Sequence, residues 1–281
     1  MKIAITGASG FLGSALSVSL ASAGHTIVPL PRPWNLELLD NTEALIHLAG
    51  ADISARLWTK RRKRVIFDSR VRGTTLFADY LGHISQPPKI FICASGLGYY
   101  GSRGDEWLDE SAPAGEGFLA EVCKAWEGAA RSASENGVRV VHLRFGLVMG
   151  PEGGALKKMT LPFRLGLGGR IGNGRQFMSW ISLEDALGAI QVILNDSTLT
   201  GPMNISSASP VTNLEFTRTL AQALHRPALI PFPAFAVEMI FGQMGRETLL
   251  ASQRLKPQKL LNAGFRFRHP TLGDALKGAL N

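Results

Sequence analysis

The stretch Lys2-Ile-Ala-Ile-Thr6-Gly7-Ala-Ser-Gly10-Phe-Leu-Gly13 decides how this chain is read. An apolar, β-compatible run ends at Thr6. Glycines stand at 7, 10 and 13, and a helix-like stretch continues from Phe11 to about Ala23. Strand, glycine turn, helix is the order that holds a dinucleotide pyrophosphate. The first glycine permits the tight turn, and the second lets backbone N–H groups approach the phosphates. The third lets helix and strand pack closely, with the helix N-terminus facing the negative charge. Gly7, Ser9, Gly10, Phe11, Leu12 and Gly13 are expected to line that ligand.

The next apolar run, from Gly24 to Leu30, ends in Pro31-Arg32-Pro33. In such folds an Asp or Glu near this point bonds the ribose 2′-OH of NAD, whereas an Arg accommodates the 2′-phosphate of NADP. No acid occurs between Gly7 and Glu37, and Arg32 follows the glycine turn at about the expected distance. The residue types favour NADP(H).

Glu43-Ala-Leu-Ile-His-Leu-Ala49-Gly50 reads as a buried strand ending in small residues that let a cofactor lie against the backbone. His47 inside it reads as a core or sheet-edge residue. Residues 55 to 81 read as a long helix. Lys89 to Ser95 is another strand, followed by Gly96-Leu-Gly-Tyr99-Tyr100-Gly101. A strand end that delivers a Ser and a Tyr into a crevice is where open α/β sheets place chemistry. Phe118 to Ser134 reads as a helix and Gly137 to Arg144 as a strand.

This alternation predicts an α/β fold, a Rossmann doubly wound parallel sheet. Its cadence breaks after Arg144. The expected division is residues 1–150 for cofactor binding and 151–281 for a smaller mixed α/β substrate-binding part. A segment near 176–205 should return to the sheet. Ile171 to Gln176 reads as a turn between two short strands. A helix should run from Ser182 to Asn195, with Ser182 and Asp185 resembling a capping box.

Composition narrows the function classes. Hydrophobic content is 45% and charged content 19% over 281 residues, enough for a sizeable core. No apolar run is long enough to span a membrane. Cys93 and Cys123 are too few for a disulfide framework and fit a reducing cytoplasm. No metal-ligand pattern is expected. The net charge of +8 concentrates at Lys60-Arg-Arg-Lys-Arg64. No nucleic-acid module accompanies that run, so it reads as a solvated helix face near an anionic cofactor. The expected partner is a small-molecule substrate, without nucleic acid or membrane, on a monomer or homodimer.

The Thr6–Gly13 motif, Leu48-Ala-Gly50, and Ser95 leading to Tyr99-Tyr100-Gly101 together resemble the extended short-chain dehydrogenase/reductases. Further motifs resemble the subgroup called epimerase family proteins. They are Ser69-Arg70, Gly98-Tyr-Tyr-Gly101, Trp126-Glu127, Phe163-Arg-Leu-Gly-Leu-Gly-Gly169, Gly172-Asn-Gly-Arg-Gln176, Trp180-Ile181, and the tail from Lys256-Pro257 to Phe265. The resemblance spans essentially the whole chain, its tail matching a C-terminal domain of unknown function. It implies a Rossmann domain binding NADP(H), with Arg32, Leu48, Ala49 and Arg70 lining the cofactor. Gly50, Ala94 and Arg144 join that expected cofactor face.

Most extended members carry a catalytic Tyr-x-x-x-Lys. Counted back from Trp126-Glu127, those positions hold Leu119 and Cys123. Leu has no ionisable group, and Cys supplies no fixed positive charge. Tyr100 becomes the expected proton donor, with Ser95 orienting the substrate, and Tyr99, Gln176 and Trp180 are expected to touch it. The leading reading is an NADP(H)-dependent oxidoreductase or epimerase-like enzyme acting on a nucleotide sugar or carbonyl compound. The alternative is a non-catalytic NADP(H)-binding sensor or interaction protein.

Overall fold

The computed structural model describes residues 1–151 and 153–280. Its strands, in chain order, are β1 (Lys2–Thr6), β2 (Thr26–Leu30), β3 (Ala44–His47), β4 (Ile90–Gly96), β5 (Trp107–Leu108), β6 (Arg139–Phe145), β7 (Leu147–Met149), β8 (Phe177–Met178), β9 (Trp180–Ser182), β10 (Gly201–Ile205), β11 (Val211–Thr212) and β12 (Arg254–Leu255). Its helices are α1 (Phe11–Ser22), α2 (Lys60–Leu81), α3 (Phe118–Gly128), α4 (Arg131–Glu135), α5 (Gly154–Arg164), α6 (Leu183–Asn195), α7 (Asn213–Leu224), α8 (Ala234–Phe241), α9 (Gln243–Thr248), α10 (Gln258–Asn262) and α11 (Leu272–Leu280).

Two compact units divide these elements. The first is Met1–Gly96, Glu121–Arg144 and Leu187–Met203; the second is Leu97–Ala120, Phe145–Ala186 and the chain from Asn204 onward. The units interleave rather than meet at residue 150. The reason is connectivity: the last sheet strand, β10, takes its place beside β6 only after the chain has built much of the second unit.

The first unit is a Rossmann-like α/β fold. Its six-stranded sheet has the order β10-β6-β4-β3-β1-β2. β1 pairs in parallel with β2 and β3, and β3 pairs in parallel with β4. The direction of winding reverses between β1 and β3, and parallel sheets of this kind bind ligands beyond the carboxyl ends at that point. Alternation sorts the strand residues between two faces. Ala4, Leu45, Phe91, Cys93 and Val140 join Phe77, Ala78 and Leu81 of α2 and Ala133 of α4 in one core cluster. α1 and α6 are tied together by Gln191 Nε2 donating to Ser19 Oγ at 2.9 Å.

The second unit has a mixed α/β make-up. It contains three two-stranded ladders: β7–β9 and β5–β12 are parallel, and β8–β11 is antiparallel. Trp180, Phe163, Phe216, Leu220, Leu272 and Leu276 fill its main core. Ser182 caps α6, its Oγ accepting from Asp185 N at 3.0 Å.

Two helices depart from the sequence expectation. α2 starts at Lys60 rather than 55, because Thr59 caps it by accepting from Arg62 N. The preceding residues close on themselves: Asp52 accepts from Ser54 N, and Trp58 Nε1 donates to Ile53 O. The helix expected over 118–134 divides after Gly128 into α3 and α4, the poorest helix former apart from proline standing at the break.

His47 is fully buried against Trp34 and Phe77, its Nδ1 2.6 Å from Thr6 Oγ1. Burial, aided by the Arg32 charge, drives its pKa down from 6.5 to about 3. The folded state therefore binds this proton less tightly than the unfolded chain. The stability it contributes is complete above pH 6.5 and is lost as pH falls from 6.5 through about 3. Thermal melts at pH 7 and 4.5 should show wild type losing roughly 2–3 kcal/mol more than His47→Gln over that interval. Equal losses would place the acid sensitivity elsewhere.

Candidate functional site

In the first unit the expected cofactor residues gather at the carboxyl ends of the strands. Gly7 adopts φ +72°, and a Cβ there would stand 3.0 Å from Ala49 N. A Cβ on Gly13 would lie 2.1 Å from Gly7 O, so α1 reaches its packing distance only with glycine at that position. Gly10 is the N-cap of α1. No side chain caps that helix, and its first turn carries no acid. Ser9 and Gly10 are exposed, and Phe11, Leu12 and Gly13 form the opening helical turn. Uncapped N–H groups with a positive helix end suit a pyrophosphate.

Arg32 follows β2 and is exposed, its guanidinium 4.9 Å from the centroid of the Trp34 ring. Trp34 is seated against Phe77, and its ring would be 2.6 Å from any Cβ on Gly73. A cation at this strand end, with no acid before Glu37, fits a 2′-phosphate.

Leu48, Ala49 and Gly50 leave β3 in the same region. A Cβ on Gly50 would come within 3.3 Å of the Arg70 guanidinium. Arg70 Nη1 donates to Ala51 O at 3.0 Å and Ile66 O at 3.2 Å, and its guanidinium lies 5.0 Å from the centroid of the Trp126 ring. Ser69 Oγ accepts from Ala51 N at 3.1 Å. The Ser69-Arg70 pair thus grips the loop after β3 from α2.

Ala94 and Ser95 lie near the end of β4. Ser95 Oγ donates to Glu127 Oε1 at 2.7 Å. Arg144, at the end of β6, clasps the same carboxylate through two contacts of 2.9 Å. Arg144 is only 2% exposed, and its charge is met by Glu127. The expectation that Arg144 faces the cofactor is thereby corrected: it anchors Glu127. Cys123 is buried one helical turn before Glu127. Burial and the Glu127 charge push its thiol up to about 11, and burial pushes Cys93 well above the usual thiol range. Neither thiol has the electropositive setting of a nucleophile.

In the second unit, Tyr100 corrects a further expectation. It is fully buried beside Leu108 and Leu255, with its hydroxyl 2.7 Å from Asn204 Oδ1 and 3.0 Å from Asp109 O. A phenol with its hydrogen engaged inside a core does not serve a substrate. Trp180 is corrected likewise: it is a fully buried core residue whose Nε1 donates to Ser209 O. Tyr99 is only partly buried and meets the Tyr100 ring edge-on at 5.3 Å. Leu119 packs on the backbone of Gly98, where a Cβ would come 2.8 Å from its own.

Gln176 lines a cavity of about 510 Å³ with Asp105, Gly172, Arg175, Phe177 and Ser252. Its Nε2 donates to Ile171 O at 3.0 Å and Leu249 O at 3.1 Å. Both amide hydrogens are used, which leaves the carbonyl oxygen as the side chain's remaining hydrogen-bonding atom. The turn itself is tied by Arg170 Nη1, donating to Gly172 O and Asn173 O. Sequence reading missed Asp105 and Ser252 in this wall, because nothing local marks segments that meet only through the fold. It also missed Glu247, whose carboxylate accepts from Phe118 N at 3.0 Å and Leu119 N at 2.8 Å and so caps α3. Among the described residues no His/Cys/Asp/Glu group could hold a metal, and no helix is long and apolar enough to cross a membrane.

Comparison with known proteins gives this geometry a family. Residues 3–206 match the NAD dependent epimerase/dehydratase family, and residues 232–279 match a domain of unknown function, DUF1731. An epimerase family protein of Mycobacterium bovis is 40% identical over 290 residues, covering 98% of this chain and 96% of that one. The crystal structure of the human epimerase family protein SDR39U1 (isoform2) with NADPH superposes with a TM-score of 0.92 at 35% identity, covering 99% of each chain. UDP-glucuronic acid 4-epimerase from Bacillus cereus, in complex with NAD, has a TM-score of 0.80 at 17% identity, covering 99% of this chain and 95% of that one; this is a likeness of fold alone. The chain belongs to the NAD dependent epimerase/dehydratase family.

The buried Glu127–Arg144 pair yields a stability prediction. Arg144→Met strands a carboxylate in a dry setting and should cost about 3–5 kcal/mol in denaturant melts. Adding Glu127→Leu should recover much of that loss. A mild effect of Arg144→Met alone would mean the carboxylate finds solvent. Thiol titration provides a second check: Cys93 and Cys123 should stay silent at pH 8 until denaturant is added, and a fast-reacting thiol in the native protein would contradict their burial.

Proposed function

We propose that this chain binds NADP(H) through the β1–α1 turn and Arg32 and carries out oxidoreductase or epimerase-like chemistry on a small molecule. The observation that carries this reading is the uncapped start of α1 beside Gly7, Gly10 and Gly13, with Arg32 ending β2 and no acid before Glu37. The human relative crystallised with NADPH supports the choice of cofactor. When bound, the nicotinamide supplies hydride chemistry, and the protein supplies orientation and a proton.

The proton does not come from α3, where Leu119 and Cys123 stand. Tyr100 is enclosed, and Tyr80 donates to Asp40 on α2's outer side. Tyr99 is the remaining phenol and is only partly buried, and Ser95 donates its hydroxyl hydrogen to Glu127. The cavity beside Gln176, within the second unit, suits a polar small molecule. The Gln176 amide carbonyl is the acceptor for an O–H or N–H such as a sugar hydroxyl or an amide offers. Nucleotide sugars and hydroxylated carbonyl compounds both carry such donors.

A second reading has one observation in its favour. With an apolar Leu119 and a protonated Cys123 on α3, the family's usual proton relay is missing, and NADP(H) binding without turnover would make the chain a sensor or interaction protein. NADPH consumption across a carbonyl panel, together with isomer formation across a nucleotide-sugar panel, separates the two, since epimerisation consumes no net NADPH. Turnover supports the enzyme, and tight binding with silence across both panels supports the sensor.

Fluorescence titration should show NADPH binding more tightly than NADH. Arg32→Glu should cost roughly 2 kcal/mol or more in NADPH affinity, since a charge-assisted contact becomes a repulsion. Equal affinity for the two cofactors would overturn the assignment of Arg32. With a turned-over substrate in hand, Tyr99→Phe should slow the chemical step by about 10²- to 10⁴-fold and leave NADPH affinity intact. An unchanged single-turnover rate would remove Tyr99 from the chemistry.

A further inference from the structure

Among the described residues fifteen large apolar side chains are exposed, and eight of them fall in two stretches of the second unit, 161–167 and 229–240. Scattered exposed apolar residues need no explanation, but a concentration of this kind does. The two stretches lie side by side. Ile230 N donates to Gly168 O at 3.1 Å, and Phe232 N donates to Arg170 O at 2.8 Å. Gly169 is pressed so close that a Cβ would be 1.8 Å from Ile230 O. α8 then begins at Ala234, presenting Phe235 and Met239 one turn apart, 71% and 76% exposed. Leu165, Leu167, Leu229 and Ile230 extend the ledge, Leu229 at 83% exposure.

The charges carried by these two segments are mostly of one sign. The segments 154–170 and 225–248 carry Lys157, Lys158, Arg164, Arg170, Arg226 and Arg246, against Glu238, which is paired with Arg246 at 3.6 Å, and Glu247, which caps α3. A second copy docked isologously would stack this cationic rim on itself. A folded partner would need pockets to receive side chains that stand so far out. A fluid bilayer needs no such complementarity, and anionic headgroups meet the rim.

We propose that this ledge docks the protein on an anionic lipid surface, with Leu229, Phe235 and Met239 entering the headgroup–acyl boundary and the exposed Arg164 and Arg226 meeting the phosphates. This is attachment to a surface, distinct from crossing it.

The test is co-sedimentation of the full chain with vesicles of phosphatidylcholine alone and of phosphatidylcholine mixed with phosphatidylglycerol, at low and high salt. The proposal expects partition onto the mixed vesicles, weakened by salt. It expects at least about a tenfold loss in the double variant Phe235→Ser, Met239→Ser, since two apolar side chains no longer leave water. Both side chains are exposed, so the variant should keep wild-type melting and NADPH affinity. Arg164→Gln with Arg226→Gln should weaken binding while leaving the apolar ledge intact. No partition onto mixed vesicles, or equal and salt-independent partition onto phosphatidylcholine alone, overturns the proposal. So does a concentration-dependent dimer that the Phe235/Met239 variant dissociates, which would assign the ledge to a second copy of the chain.

Discussion

The first unit depends on how closely α1 approaches the turn that follows β1. A side chain at residue 13 would collide with the carbonyl of Gly7, and one at residue 7 would crowd the backbone of Ala49. Both contacts are backbone, which cannot swing aside as a side chain can. With glycine at both positions the helix start, the end of β1 and the end of β3 come together at the point where the winding reverses. The positive helix end, the small residues of the β3 loop and Arg32 follow from that convergence. Each belongs to a different segment, and each is useful only because the turn is tight.

In the first unit, two charged side chains drawn inward, Arg144 and Arg70, are held by internal partners. Glu127 takes both arms of Arg144 and the hydroxyl of Ser95, while Arg70 divides its guanidinium between two carbonyls and the Trp126 face. These are positioning contacts that fix strand ends and loops. They also bear on Cys123: a thiolate one turn from the Glu127 carboxylate would add a second negative charge, and burial with that charge holds the thiol protonated. In the second unit the same economy appears at α3, whose opening N–H groups are satisfied by Glu247 from far along the chain.

Much of the fold was legible because its signals are local. Glycine spacing, apolar strands ending in small residues, and the absence of an acid before Glu37 all concern neighbours in sequence, and β1, β2, β3, β4 and β6 lie close to where their patterns place them, whereas the short β5 has no such pattern. Thr59 and Gly128 were harder, since a cap and a weak helix former shift boundaries within otherwise continuous patterns. The expectations for Tyr100, Trp180 and Arg144 failed for a common reason. A strand-end aromatic or cation has the same sequence signature whether its polar atom faces a ligand or an internal partner such as Asn204, Ser209 or Glu127. The partners arrive from distant segments, and only the fold shows that they use up the group. Gln176 differs from these in one respect: its amide hydrogens are spent on Ile171 and Leu249, and its position lines a cavity.

The central claim is that the β1–α1 turn, with Arg32, is a dinucleotide site. Amide hydrogen exchange measured with and without NADPH tests it most directly. The account predicts strong slowing at Ser9 to Gly13 and around Arg32, where N–H groups at the helix start become phosphate donors. NADPH binding that leaves those amides exchanging at the unliganded rate, with protection confined to other segments, would contradict it.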